Sequence, residues 1–291
     1  MSFLIFPLPG NEDLASQLAA ASGGIVGRLE TRHFPDGETY VRFADALDGQ
    51  SVVIACTLDR PDAKIAGLLF AADAARELGA RRVGLAAPYL CYMRQDKRFR
   101  PGEAVTSRSF ATLISRHFDW LVTIDPHLHR YRALDEIYSI PALALHAGPV
   151  IADWIGRNVA KPYLIGPDSE SRQWVEAVAA ACGAPWAVLN KIREGDRSVS
   201  ETSISASLRG QTPVLLDDIV SSGATLLATL RQLPLDADPA VLIAIHGLCS
   251  KDARQSLMKS GAKLITTNSI PNADAKIDIV PLLATGVGQF T

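Results

Sequence analysis

Short, continuous apolar runs alternate with longer amphipathic segments along most of the chain, and this alternation limits the possible fold more than any other feature. The runs are rich in valine, isoleucine and leucine, as expected for strands that are covered on both faces. They predict strands at Ser51–Leu58, Arg82–Tyr89, Trp120–Asp125, Tyr163–Asp168, Trp186–Lys191, Pro213–Asp218, Val241–Leu248 and Leu264–Ile270.

Helical patterns lie between these strands. One apolar stripe predicts a helix over Pro61–Leu78 that stops at Gly79. Further helices are expected at Ser169–Cys182, Ser222–Leu233 and Ser250–Ser260. Repeated strand–helix–strand units favour an α/β fold with parallel sheets.

The length of 291 residues is too great for one small core, so two domains or one large domain are expected. The strands Trp120–Asp125 and Pro213–Asp218 both end in acidic residues. We interpret this likeness as a trace of internal duplication, with a boundary near residues 146–160.

Composition excludes several classes of protein. The formal net charge of -2 gives no indication of a nucleic-acid binder. No apolar run reaches the ~20 residues needed to span a bilayer, and the short apolar start is interpreted as a first strand. The four cysteines are widely spaced, which predicts reduced thiols in a cytoplasmic protein, without a disulfide framework or a zinc site.

The most specific pattern is P-V-L-L-D-D-I-V-S-S-G-A-T at Pro213–Thr225. A buried strand would carry Asp217 and Asp218 to the carboxyl edge of a sheet, where ligands of α/β proteins bind. Backbone N–H groups and hydroxyls of the next turn can hold a phosphate, and the two acids suit ribose hydroxyls. The candidate phosphate-binding residues are Ser221, Ser222, Gly223, Ala224 and Thr225. The alternative is an ordinary turn in which Ser222 caps a helix.

Two acids followed by such a loop resemble the signature of type I phosphoribosyltransferases. Three further segments resemble ribose-phosphate pyrophosphokinases in particular. They are F-P-D-G-E at Phe34–Glu38, P-Y-L-C-Y-M-R-Q-D at Pro88–Asp96 and D-P-H at Asp125–His127, with a weaker match at Ala244–Leu248. The matches occur in the family's order and extend over nearly the whole chain.

The resemblance implies an enzyme that moves the diphosphate of ATP onto ribose 5-phosphate, giving 5-phosphoribosyl 1-diphosphate and AMP. Arg94 and Gln95 would contact ATP. Phe34, Asp36 and Glu38 would hold adenine, in the active site of a neighbouring subunit of a dimer or hexamer. Without the resemblance, Phe34–Glu38 would pass as a surface turn and the basic cluster around Arg94 as a solvated loop.

The resemblance also assigns the catalytic groups. Lys191 and Arg193 match the family's K-x-R and would stabilise the transition state, and Mg²⁺ would be held by His127 and Asp168. A charged connection and a structural histidine are the plainer interpretations of these residues.

The implied architecture is a pair of type I phosphoribosyltransferase-like domains with parallel sheets. We expect an ATP-side domain at residues 1–146, joined by residues 278–291, and a ribose 5-phosphate domain at residues 147–277. No nucleic-acid or membrane partner is expected.

The sequence departs from the family pattern P-D-x-G-G at Ser169–Ser171, and it has Ser221 where many members have an acid. These departures leave nucleotide preference and regulation open. The alternatives are a phosphoribosyltransferase acting on a base and a non-catalytic regulatory subunit.

Overall fold

A computed structural model describes residues 3–189, 191–194, 197–200, 208–234 and 237–291. The chain divides into two compact units. Unit 1 comprises Met1–Leu145 with Val280–Thr291, and unit 2 comprises His146–Ile279.

Unit 1 contains a six-stranded parallel sheet in the order β2-β1-β5-β6-β7-β8 and a separate antiparallel hairpin, β3-β4. Its strands are β1 (Phe3–Pro7), β2 (Ile25–Val26), β3 (Leu29–His33), β4 (Thr39–Phe43), β5 (Ser51–Ala55), β6 (Arg82–Ala87), β7 (Trp120–Ile124) and β8 (Ala142–Leu145). The helices between them are α1 (Glu12–Ser22), α2 (Ile65–Glu77) and α3 (Thr106–His117).

Burial explains why these strands form. Every residue of β5 and β7 is buried, which accounts for their continuous apolar sequences. The helix α2 buries a stripe of small residues and Leu68 against the sheet. The unit is therefore built as the alternation of apolar runs and amphipathic segments predicts.

Unit 2 contains a second six-stranded parallel sheet, in the order β10-β9-β13-β14-β15-β16, and a second antiparallel hairpin, β11-β12. Its helices are α4 (Gly148–Asn158), α5 (Arg172–Cys182), α6 (Ala224–Leu230) and α7 (Lys251–Lys259). Its strands are β9 (Pro162–Gly166), β10 (Trp186–Val188), β11 (Lys191–Glu194), β12 (Arg197–Ser200), β13 (Thr212–Val220), β14 (Val241–Gly247), β15 (Lys263–Thr267) and β16 (Ala275–Ile277).

The two sheets have the same strand order, element for element, from β1–β8 to β9–β16. In each unit the third and fourth strands leave the sheet as a hairpin, and the fifth strand pairs with the first. This identity of order confirms the predicted duplicated α/β fold.

The helix that follows the eighth strand of each half belongs to the other unit. The helix α4 follows β8 but packs against α5 in unit 2, whereas the last helix, α8 (Val280–Val287), follows β16 but packs against α1 in unit 1. Phe290 then stacks on Trp120 with ring centroids 5.0 Å apart, and Arg82 Nη1 donates to the Phe290 carbonyl at 3.1 Å. The final residues are thus anchored in the core of unit 1.

Some elements differ from the sequence-based expectation. The strand β13 does not end at Asp218, because Ile219 and Val220 continue to pair with β14. The run Trp186–Lys191 is divided between β10 and the start of the hairpin. The hairpin β3-β4 and the short strands β8 and β16 were not among the predicted strands.

Candidate functional site

Three carboxylates lie together at the carboxyl edge of the sheet in unit 2. The strands β9 and β13 are neighbours, so the loop after β9 brings Asp168 towards Asp217 and Asp218. Burial raises the pKa of Asp217 well above its usual range, and the negative charges of Asp218 and Asp168 raise it further. This edge is therefore suited to groups that neutralise carboxylates, such as cations, or that donate hydrogen bonds to them, such as sugar hydroxyls.

The two acids of β13 are held by their own backbone. The Asp218 N–H lies 3.0 Å from Asp217 Oδ1, and the Ile219 N–H lies 2.7 Å from Asp218 Oδ1. These contacts fix both carboxyl groups two to three residues before the strand ends at Val220.

The departure at Ser169–Ser171 forms a short turn that organises Asp168. Ser171 Oγ donates to the Asp168 carbonyl at 2.6 Å, and the Ser171 N–H lies 3.3 Å from Asp168 Oδ1. A Cβ at Gly166 would lie 2.3 Å from Ser171 Oγ, so Gly166 is required where the turn packs on β9. The sequence that replaces the family's glycines thus keeps the acid in place.

The candidate phosphate loop follows β13 directly. Gly223 has a φ of 71°, and a Cβ there would lie 3.0 Å from the Leu257 side chain, so the position needs glycine for two reasons. The helix α6 begins at Ala224, whose N–H lies 3.4 Å from Ser222 Oγ. Ser221 and Thr225 are half-buried, whereas Ser222 and Ala224 are exposed.

Lys191 and Arg193 lie on β11, which pairs with β12 in the register Lys191↔Ser200 and Arg193↔Ser198. Their side chains are outside the part of the chain that the structure describes, as are residues 190, 195 and 196. The K-x-R segment is therefore part of a hairpin, and the roles of Lys191 and Arg193 stay predictions.

In unit 1, Phe34–Glu38 is the turn of the hairpin β3-β4. The Phe34 N–H donates to the Glu38 carbonyl at 2.8 Å, and Asp36 Oδ1 accepts from the Glu38 N–H at 3.1 Å. The Phe34 residue is 40% exposed, and the Arg32 guanidinium lies 4.5 Å from its ring centroid. An aromatic ring is thus presented to solvent at the tip of a hairpin.

The basic loop after β6 contains the predicted ATP contacts Arg94 and Gln95. Arg94 is exposed, whereas Gln95 is half-buried, and its carbonyl accepts from the Ser107 N–H at 3.3 Å. Further along, the Glu103 carboxylate accepts from the backbone N–H groups of Phe99 and Arg100 at 2.8 and 3.0 Å. The loop is held by hydrogen bonds of its own, so its cations project from an ordered backbone.

Arg130 was missing from the predicted site. Its Nη1 donates to both carboxylate oxygens of Asp96, at 2.8 and 2.9 Å, and the Asp96 side chain is 0% exposed. Tyr131 Oη also donates to the Asp96 carbonyl at 3.2 Å. These contacts tie the loop after β6 to the loop after β7. A basic residue three positions after the predicted ligand His127 was the available signal in the sequence.

His127 lies on the loop after β7, next to His129, with ring centroids 3.7 Å apart. The loop starts at Asp125, which has a φ of 33° and whose N–H donates to the Leu145 carbonyl at 2.8 Å. A positive φ is uncommon outside glycine and often marks functional loops, although aspartate tolerates it better than most residues. Imidazole nitrogens in this loop are chemically able to bind a divalent metal ion.

Comparisons with known proteins agree over the length of the chain. A family model for the N-terminal domain of ribose phosphate pyrophosphokinase matches residues 3–117, and a model for the phosphoribosyl transferase domain matches residues 133–282. The chain is 33% identical over 287 residues to a ribose-phosphate pyrophosphokinase of Methanopyrus kandleri. The match covers 96% of this chain and 96% of the relative.

A ribose-phosphate pyrophosphokinase of Methanosarcina acetivorans is 31% identical, with 95% of this chain and 96% of the relative covered. Among solved structures, phosphoribosylpyrophosphate synthetase from Mycobacterium smegmatis matches with a TM-score of 0.83 and 27% identity, over 99% of this chain and 98% of the other. The similarity therefore includes both units.

Proposed function

The chain belongs to the ribose-phosphate pyrophosphokinase family, and from this premise we propose how its own residues carry the reaction. The enzyme transfers the β,γ-diphosphate of ATP to O1 of ribose 5-phosphate, giving 5-phosphoribosyl 1-diphosphate and AMP. The observation that carries the assignment of substrates is the contrast between an acid pair with a phosphate loop in unit 2 and an ordered basic loop in unit 1.

Ribose 5-phosphate is assigned to residues 147–277. Asp217 and Asp218 accept hydrogen bonds from the ribose hydroxyls, and the backbone and hydroxyls of Ser221–Thr225 hold the 5-phosphate. Gly223 supports this assignment, since its positive φ opens the turn and its lack of a side chain keeps the turn close to Leu257.

ATP is assigned to residues 1–146. Arg94 and Gln95 contact the nucleotide from the loop that Asp96 and Arg130 hold in place. Arginine suits this task because its guanidinium binds phosphate oxygens through two parallel hydrogen bonds.

Lys191 and Arg193 are assigned to the chemical step. The O1 hydroxyl of ribose 5-phosphate attacks the β-phosphorus and loses its proton to solvent, the bond from that phosphorus to the α,β-bridging oxygen breaks, and AMP leaves with that oxygen. Negative charge then shifts onto the leaving oxygen, and positively charged side chains stabilise it.

The Asp168 carboxylate fits Mg²⁺, which prefers oxygen ligands and keeps several waters, whereas a histidine nitrogen is a less usual ligand for this ion. Burial and then the neighbouring carboxylates raise the pKa of Asp217, and a divalent cation would neutralise the negative charge of these carboxylates. We assign Asp168 and His127 as the protein ligands, and bound Mg²⁺ would supply positive charge to the phosphate oxygens of ATP. Ser171 maintains the position of Asp168 for this purpose.

We assign Phe34, Asp36 and Glu38 to adenine in the active site of a neighbouring subunit of a homo-oligomer. The exposed ring of Phe34 at a hairpin tip supports this assignment.

Mixing the Phe34→Ala and Lys191→Ala variants tests this assignment, because a hybrid oligomer would contain one site with both residues intact. Recovery of activity on mixing is expected. No recovery, with subunit exchange demonstrated by native mass spectrometry, would mean that the hairpin acts within its own chain.

We place the enzyme in the cytoplasm. All four cysteines are free, and two of them, Cys56 and Cys91, are buried. In the described part of the chain, none of the helices is long and apolar enough to cross a membrane.

An assay of AMP formation tests the proposed reaction. ATP, Mg²⁺ and ribose 5-phosphate are supplied together and then omitted one at a time, and the phosphorylated product is identified by mass spectrometry. AMP that requires all three components, with 5-phosphoribosyl 1-diphosphate as co-product, is the expected result. A folded protein that forms no AMP would instead favour a base phosphoribosyltransferase or a regulatory subunit.

A further inference from the structure

The hairpin β3-β4 of unit 1 carries an arginine that contacts two aromatic rings. Arg32 lies opposite Tyr40 in the pairing of β3 with β4, and Phe34 follows Arg32 by two residues at the tip. The Arg32 guanidinium lies 4.5 Å from the Phe34 ring centroid and 4.3 Å from the Tyr40 ring centroid. The proposed reaction assigns a role to Phe34 but none to Arg32, which contacts it directly.

Strand geometry explains why these three side chains meet. Residues two apart along a strand point to the same face, and cross-strand partners share that face. Arg32 and Tyr40 are such partners, and the rings of Phe34 and Tyr40 meet edge to face, with centroids 6.1 Å apart and planes at 88°. The guanidinium therefore lies in the angle between two nearly perpendicular rings.

The neighbouring cross-strand pair on this face holds its arginine in a different way. Arg42 pairs with Glu30 in the strand register, and Arg42 Nη1 lies 3.3 Å from Glu30 Oε2 in an exposed ion pair. Arg32 makes no ion pair with any described residue, although Asp36 and Glu38 lie in the adjoining turn. The charge of Arg32 is thus directed at the two rings and not at a carboxylate.

Phe34 needs such a contact if its ring is to bind a base. The residue is 40% exposed, and it lies in the turn, beyond the last residue of β3 at His33. An exposed ring in a turn samples several rotamers, and fixing one of them on binding costs conformational entropy. A guanidinium held against the ring by cation–π attraction restrains it before the nucleotide arrives.

The cation also determines which face of the ring a base can use. Arg32 covers one face of the Phe34 ring, so a base would stack on the opposite face. A cation over an aromatic ring draws the electron density of the ring towards itself. The opposite face then repels the electron-rich face of a purine less strongly. Arg32 thus favours one orientation of the ring and strengthens stacking on its open face.

We propose that Arg32 is a positioning residue of the adenine site, which holds the Phe34 ring ready to stack on the base of ATP. Tyr40 supports the guanidinium from the partner strand. Arg32 acts through the Phe34 ring and not on the phosphate groups or the reacting atoms. The proposal rests on the assignment of Phe34 to adenine under the proposed function, and it extends the adenine site from the turn into the strands of the hairpin.

Isothermal titration of the full chain provides the test, with Mg²⁺ and an ATP analogue that has a methylene group at the α,β-bridging position. This analogue retains the adenine and cannot release AMP. Arg32→Met keeps a long side chain but removes the charge, and it should weaken binding by about 2–5-fold, the range for an exposed cation–π contact. Arg32→Lys should restore part of the affinity, because lysine also attracts rings as a cation. Arg42→Met, from the same face, is the control and should bind as the wild type does.

A double-mutant cycle separates a role through Phe34 from an independent one. Phe34→Leu removes the ring but keeps an apolar side chain, and it should weaken binding of the analogue about fivefold or more, as loss of a base–aromatic stack does. Arg32→Met added to Phe34→Leu should cause no further loss. An equal loss in both backgrounds would overturn the proposal. An unchanged affinity in Phe34→Leu alone would instead contradict the assignment of Phe34 to adenine, and with it the premise of the proposal.

Inorganic tripolyphosphate, which lacks the adenosine group, distinguishes stacking from simple attraction between charges. Its affinity should be the same in the wild type and in Arg32→Met, because Arg32 acts on the base alone. An equal weakening of tripolyphosphate and of the ATP analogue would show that Arg32 attracts phosphate groups, and this would overturn the proposal. A lower Tm of Arg32→Met with unchanged affinity for the analogue would overturn it too, because Arg32 would then only stabilise the hairpin.

Discussion

The two units share one strand order but place their polar residues at different strand ends. In unit 2 Asp168 follows β9, and Asp217 and Asp218 lie near the end of β13. Counting forward from the strand pairs Leu4↔Val52 and Leu164↔Val214 gives Leu8, Ala55 and Cys56 as the matching positions in unit 1. All three counterparts in unit 1 are buried. The same frame thus supports an acidic edge in one unit and an apolar one in the other.

In unit 1 the candidate ligand-binding residues follow β6 and β7, which lie one and two strands beyond β5 in the sheet. Arg94 and Gln95 follow β6, and His127 follows β7. Both loops leave the carboxyl edge, as ligand-binding loops of parallel sheets do. Duplication thus preserved the carboxyl edge of the sheet, while the two units carry their candidate ligand-binding residues after different strands.

The largest expected effect comes from comparing the hairpin β11-β12 of unit 2 with the hairpin β3-β4 of unit 1. Lys191→Ala should lower kcat by about 10²–10³-fold, as loss of one group that stabilises the transition state does, with little change in ribose 5-phosphate affinity. Steady-state kinetics and isothermal titration measure the two quantities. Arg42→Ala, in the hairpin of unit 1, removes an exposed cation paired with Glu30 and should leave kcat nearly unchanged. Near-normal turnover of Lys191→Ala would contradict the assignment.

The next test compares β13 of unit 2, which carries the acid pair, with β5, the fifth strand of unit 1. Asp217→Asn combined with Asp218→Asn should weaken ribose 5-phosphate binding by about 10–100-fold, because hydrogen bonds to charged groups contribute about 1.5–3 kcal/mol. Isothermal titration measures the affinity. Cys56→Ala, at the matching position of β5, is the control and should leave this affinity unchanged. An unaltered affinity in the double variant would remove both acids from the site.

A substitution of Arg130 tests how unit 1 positions the loop after β6, which carries Arg94 and Gln95. Arg130→Gln leaves the buried Asp96 carboxylate without its cation, so we expect a rise of about tenfold in the KM for ATP and an unchanged ribose 5-phosphate affinity. Arg130→Lys should restore part of the loss. The exposed Arg132 allows the matched control Arg132→Gln. A lower Tm with an unchanged KM would show that the pair is only structural.

The smallest expected effect is a pH dependence confined to unit 2. Because the pKa of Asp217 is raised to about 8 in the folded chain, the folded state binds this proton more tightly than the unfolded chain does. The stability that Asp217 contributes is therefore full below the ordinary carboxyl pKa and is lost as the pH rises towards 8. Relative to Asp217→Asn, the Tm of the wild type should fall between pH 5 and pH 8.5. Each kcal/mol of lost stability lowers the Tm by about 2–4 °C.

Differential scanning calorimetry of metal-free protein measures this difference. Asp153→Asn, which removes an exposed carboxylate from α4, is the control. Parallel Tm curves for the wild type and Asp217→Asn across this range would contradict a raised pKa at Asp217.

The sequence by itself determined the α/β class and the order of most elements, and it predicted the candidate phosphate loop. Apolar runs of six to eight residues give strands because both faces of a parallel sheet are covered, and that property is local. The loop at Ser221–Thr225 was equally local, since its glycine and hydroxyls are consecutive. The ribose-phosphate pyrophosphokinase motifs were readable for the same reason.

Only the tertiary structure decided which distant residues act together. Asp96 and Arg130 are 34 residues apart, and they meet because β6 and β7 are neighbours in the sheet. Asp217 and Asp218 lie inside β13 because the pairing of Ile219 and Val220 with β14 prolongs the strand beyond them. The raised pKa of Asp217 depends on burial and on the charges of Asp218 and of Asp168, which the loop after β9 supplies. The correspondence of Leu8, Ala55 and Cys56 in unit 1 with the acidic edge of unit 2 emerges from strand register, which hydrogen bonds between strands fix and which the order of residues along the chain does not display.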